Sequence, residues 1–85
     1  MSMQTMDNMI YKLMKENHIM GEMVDYNEGI RMVAVEVIRG DWKHEHGRLD
    51  WLMQKNFPTL RSIHTVTTEE DGSDCYSAIH YYYFN

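Results

Sequence analysis

Ile30 to Arg39 reads IRMVAVEVIR. The β-branched residues of this stretch predict a strand, and the strand is apolar on both sides. Val33, Val35 and Val37 fall on one parity; Ile30, Met32, Ala34 and Ile38 fall on the other. A strand with one face in water should alternate apolar and polar residues. Cys75 to Phe84 repeats the pattern with aromatics: Cys75, Ile79, Tyr81 and Tyr83 on one side, Tyr76, Ala78, Tyr82 and Phe84 on the other. Both faces of a sheet built from these strands need cover.

The segments around these strands supply their partners. Ile19 to Tyr26 is a predicted strand weakened by Gly21, and Asn27-Glu28-Gly29 is turn chemistry, with Gly29 free to take positive φ. Together with the strand from Ile30 they predict a hairpin. Thr59 to Thr68, the acidic turn from Glu69 to Asp74, and Cys75 to Phe84 predict a second hairpin with arms of matched length. Before the first hairpin, Met6, Met9, Ile10, Leu13 and Met14 form one helical stripe, with Thr5 as N-cap, Asp7 in the first turn and a stop at Asn17-His18. Between the hairpins, Leu49, Leu52, Met53 and Asn56 or Phe57 predict a helix within Asp41 to Asn56. Gly47 costs about 1 kcal/mol inside a helix, so the solid part is expected from Arg48 on, and Pro58 ends it.

The order is therefore α-β-β-α-β-β. With the last strand moved to the front it resembles the ferredoxin-like order. The expectation is one α+β domain spanning residues 1–85, a four-stranded antiparallel sheet with two helices on one face. Two short helices can hide only one side of that sheet. The uncovered side is expected to bind a partner, and the residues assigned to it are Val33, Val35, Val37, Tyr76, Tyr82 and Phe84.

Composition narrows the function. A chain of 85 residues buries only about 60% of the surface its unfolded form exposes, so its own core is small. A single cysteine, Cys75, allows no intrachain disulfide and no thiolate zinc cluster, and it favours a reducing compartment. The net charge of −5 with scattered basic residues disfavours nucleic acid. No apolar run approaches the roughly 20 residues of a membrane span. The chain is expected to be soluble and cytoplasmic.

The densest polar stretch is Asp41 to Asp50, DWKHEHGRLD. His44 and His46 have a metal-ligand spacing on a strand, where alternate residues share a face, but diverge on a helix. A third ligand would come from Asp41, Asp50, His64 or His80. The same residues could serve acid–base chemistry, with His44 or His46 as base and Asp41, Glu45 or Asp50 orienting the ring. The alternative is a solvated loop and first helical turn. The acidic turn lacks the ligand pattern of an EF-hand, and His80 to Phe84 lacks the basic residue and glycines of an RNA-recognition motif. No cofactor is expected. The reading is a non-catalytic interaction module (adaptor, regulator or inhibitor) that associates through an apolar, tyrosine-rich sheet face or an edge strand, with itself as a homodimer or with a larger protein. The alternative is a small ligand-binding or acid–base domain that uses Asp41 to Asp50 and the candidates His44, His46 and Asp50.

Overall fold

The computed structural model describes residues 3–38, 42–69 and 76–85, without the side chains of residues 3, 38, 42–46, 67–69, 76 and 77. Its elements are α1 (Met3–Glu16), β1 (Gly21–Asn27), β2 (Met32–Ile38), α2 (Trp42–Asn56), β3 (Leu60–Glu69) and β4 (Tyr76–Phe84). This is the predicted order.

Met6, Ile10 and Met14 recur every four residues along α1, and all three are buried. The helix already runs from Met3, so Thr5 lies inside it rather than capping it, and Asp7 falls beyond the first turn. The other end closes as a Schellman motif. Ile19 N–H donates to the Met14 carbonyl at 2.9 Å and His18 N–H to that of Lys15 at 3.3 Å. His18 takes the left-handed conformation, φ 56°. The Asn17 side chain donates to the Leu13 carbonyl at 2.8 Å, satisfying a terminal acceptor.

The first hairpin turns on Asn27, whose Oδ1 accepts from the backbone N–H groups of Gly29 and Ile30 at 2.9 and 3.2 Å. The left-handed residue is Arg31 (φ 51°), not Gly29. Ile30 therefore stands exposed in the turn, and the strand begins at Met32. Arg31 is held there from β4. Phe84 N–H donates to its carbonyl at 2.9 Å, and its Nε donates to the Asn85 carbonyl at 3.0 Å. Gly21 has a packing reason: a Cβ there would stand 2.5 Å from Met14 Cε and 2.7 Å from the Glu36 carbonyl oxygen.

α2 continues through Gly47 back to Trp42, longer than the stretch from Arg48 that the glycine implied. Burial of Leu49, Leu52 and Met53 outweighs the glycine's cost. The helix ends as predicted before Pro58. Phe57 N–H reaches the Met53 carbonyl at 2.9 Å, and the Asn56 side chain donates to that of Leu52 at 2.8 Å.

The sheet order is β1-β2-β4-β3, antiparallel throughout. The last strand in sequence is thus central, as in a ferredoxin-like sheet whose first strand has been carried to the end of the chain. Both helices pack on one face, where Met6, Ile10, Met14, Leu49, Leu52 and Met53 meet Val33, Val35, Val37, Tyr82 and Phe84. Phe57 and Phe84 pack edge to face, with centroids 5.9 Å apart.

This corrects the assignment of the open face. Val33, Val35, Val37, Tyr82 and Phe84 are the floor beneath the helices and are fully buried. The physical reason is Glu36. It shares its parity with Met32 and Ala34, and that parity must face water because a carboxylate is expensive to bury without a partner. The side chain of Tyr76, the remaining residue of that set, lies outside the described residues.

Candidate interaction surface

On the far side of the sheet, among the described residues, no helix lies over the strands. Register fixes its rows. Asn27, Met32, Tyr83 and Ser62 form one; Asp25, Ala34, Tyr81 and His64 the next; Glu22, Glu36, Ile79 and Val66 the third. The two central strands contribute Met32, Ala34, Ile79, Tyr81 and Tyr83, and the edge strands contribute mostly polar groups. Ala34, between larger neighbours, sinks below the surface, and Met32 is also buried. Tyr81, Tyr83 and Ile79 are half-buried, and Val66 is exposed. The His64 and Tyr81 rings lie 6.1 Å apart. An aromatic and aliphatic centre within a polar rim is the anatomy of a protein interface. The molecule is only 17 Å deep in its thinnest direction, as expected of one helical layer on one sheet.

The helix side holds a polar cluster. Tyr82 Oη donates to Asp50 Oδ1 at 2.8 Å. His80 Nδ1 lies 3.1 Å from the same oxygen and 3.1 Å from Thr65 Oγ1. The His80 and Tyr82 rings, two residues apart on one face of β4, stack nearly parallel at 5.9 Å. Burial, reinforced by the Asp50 carboxylate, pushes the Tyr82 phenol far above its ordinary value of 10.0. His80 is 1% exposed, and through it and Tyr82 the cluster ties α2 to β4. Asp50 is thereby engaged by Tyr82 and His80. The side chains of His44 and His46, its proposed companions, lie outside the described residues, as do the acidic turn at 70–74 and Cys75. Among the described residues no three His, Cys, Asp or Glu side chains gather as metal ligands would.

Both sites have signatures in the sequence. Asp50 lies three residues before Met53 and seven before Phe57, on the buried stripe of α2. His80 shares the parity of Ala78 and Tyr82. Glu36 marks the open face. Trp51 points outward, 57% exposed, with Lys55 Nζ 4.9 Å above its ring. Asp7 Oδ1 is buried without a hydrogen-bond partner, and that burial raises its carboxyl above the ordinary 3.8. An open groove of about 320 Å³ between the end of α1 and the start of β1 is lined mainly by Tyr11, Met14, Ile19 and Met20, with Lys15 and Glu22 at its sides.

Fold and surface define a two-layer α+β protein with one sheet face bare among the described residues. No protein-family model matches the chain, and neither the curated proteins nor the solved structures contain a significant match. Among the described residues no helix is long and apolar enough to cross a membrane.

Proposed function

We propose that the chain is a small non-catalytic interaction module of a reducing, cytoplasmic compartment, and that its open sheet face binds a second copy of itself. The observation that carries this reading is the row structure of that face: Met32, Ala34, Ile79, Tyr81 and Tyr83 in the middle, Glu22, Asp25, Asn27, Ser62 and His64 at the margins. Tyrosine suits such a role, since it offers large contact area with little entropy to lose and keeps a hydroxyl for water when unbound. Four strands about 4.8 Å apart and about seven residues long give a footprint of roughly 450 Å² per copy. A pair would bury on the order of 900 Å² or somewhat more, at the low end of specific interfaces. The dimer should therefore be concentration-dependent rather than permanent.

Sedimentation across a wide concentration range tests this. The wild type should pass from monomer to dimer. Tyr81→Lys places a charge in the centre of the face and should keep the chain monomeric with its fold intact. Trp51→Ala, on the opposite side, should change nothing. A wild type that never associates, or a Tyr81→Lys variant that associates equally well, overturns the reading.

A further inference from the structure

The open face is divided into two unlike halves. Its carboxylates lie on one of them: Glu22 and Asp25 on β1, Glu36 on β2. The half made by β4 and β3 turns Ile79, Tyr81, Tyr83, Ser62, His64 and Val66 to the same side, and among the described residues it holds no carboxylate. Size is divided as well. In the middle row Ala34 stands on β2 and Tyr81 beside it on β4, with Asp25 and His64 at the two ends of the row. His64 and Asp25 are exposed. Asp25 Oδ1 accepts from the Tyr26 N–H at 2.9 Å, and a carboxylate has a second oxygen to offer outward.

These two asymmetries select one way of stacking two copies. Sheets packed face to face stand about 10 Å apart, with their strands about 30° from alignment. A two-fold axis lying between such sheets runs either roughly along the strands or roughly across them. An axis across the strands lays each strand on its own copy. It sets the acidic half on the acidic half and, through the middle row, Asp25 on Asp25 and ring on ring. Like charges brought together are destabilising, and layers interdigitate when large residues face small ones. An axis along the strands does the reverse. It lays β1 over the partner's β3 and β2 over the partner's β4. Asp25 then meets the partner's His64, which donates an N–H whether neutral or charged. Tyr81 meets the partner's Ala34, and Glu22 and Glu36 come over the partner's Val66 and Ile79, away from any carboxylate. We propose that the two copies meet about an axis along the strands, with Asp25 and His64 forming a reciprocal pair at each margin. This rests on the face-to-face dimer proposed above and specifies which surfaces of it touch. By symmetry each contact occurs twice.

The test uses Cys75→Ser as background, which removes the chain's one native thiol. Asp25→Cys and His64→Cys are made separately, mixed, and treated with a thiol-to-thiol reagent that spans about 10 Å, the distance between stacked sheets. The mixture should couple across the two positions, while neither variant couples with itself. Trp51→Cys, on the helix side, gives the collisional background. Within one chain positions 25 and 64 stand three strand spacings apart, about 14 Å, beyond the reagent. Sedimentation supplies a second reading. His64→Lys should tighten the dimer about 3- to 10-fold, as expected of two ion pairs at the rim. The gain should vanish in combination with Asp25→Asn, which removes the charge and keeps the acceptor for Tyr26. A chain that dimerises without the cross-coupling, or with self-coupling at position 25 or 64, overturns the arrangement and leaves the dimer standing. So does a lysine gain that survives Asp25→Asn. A wild type that stays monomeric overturns both.

Discussion

His18 occupies a position that usually belongs to glycine. It is the left-handed residue of the motif that closes α1, where a residue with a Cβ is strained by roughly 1–2 kcal/mol. Glycine relieves that strain but gives up backbone entropy in the unfolded chain. His18→Gly should therefore stabilise the protein by about 0.5–1 kcal/mol in denaturant unfolding, and His18→Val should do the opposite. Tyr82 makes a prediction with a pH signature. Its hydroxyl donates to a carboxylate within the core, and removing it as Tyr82→Phe should cost about 1.5–3 kcal/mol at neutral pH. Because the native phenol keeps its proton above 10.0 while an unfolded tyrosine releases it, the native state binds more protons there. That stability is fully present below pH 10 and declines as pH rises further. The gap between wild type and Tyr82→Phe, measured by unfolding at pH 7 and pH 11, should narrow at the higher value.

At the level of elements, α2 invites the clearest test. Gly47 is exposed in mid-helix, and a Cβ there would meet nothing within 4 Å. Gly47→Ala should add about 1 kcal/mol, read as a shift of the unfolding midpoint without a change in slope. The helix itself, its stop at Pro58 and its stripe were legible, because the spacing of Leu49, Leu52 and Met53 is a local pattern. Its start was not, since packing of that stripe against the sheet is a tertiary effect that extends the helix over an unfavourable residue. The end of α1 was legible for the same local reason. The position of left-handed backbone in the first hairpin was not, because Arg31 is held by contacts from β4, more than fifty residues away in sequence. For the open face, the strands and their two-sided apolar character could be read, but the wrong side was assigned. The apolar count on β2 favoured neither parity, and Glu36 was the residue that decided it. The polar cluster was missed because Asp50, His80 and Tyr82 meet only when α2 lies across β4.

For the molecule as a whole, the contrast between its two surfaces carries the functional reading. The helix side covers the core but leaves Tyr11, Met20 and Trp51 exposed and Asp7 Oδ1 without a hydrogen-bond partner, whereas the sheet side shows half-buried rings in its centre. That contrast lies in the assembled sheet, so the proposed stacking is a property of a finished fold rather than of any segment.

The central place of β4 bears on how the chain is made. Every other element precedes it, yet β2 and β3 each find their inner partner in it. While the polypeptide is emerging from a ribosome at about 5–20 residues per second, the first hairpin has β2's inner edge bare, and β3 has nothing to pair with on either side. The sheet closes only upon arrival of Tyr76 to Phe84. A nascent chain interrupted before that point would expose two sticky margins at once, which makes the closing strand a checkpoint between the finished sheet and aggregation.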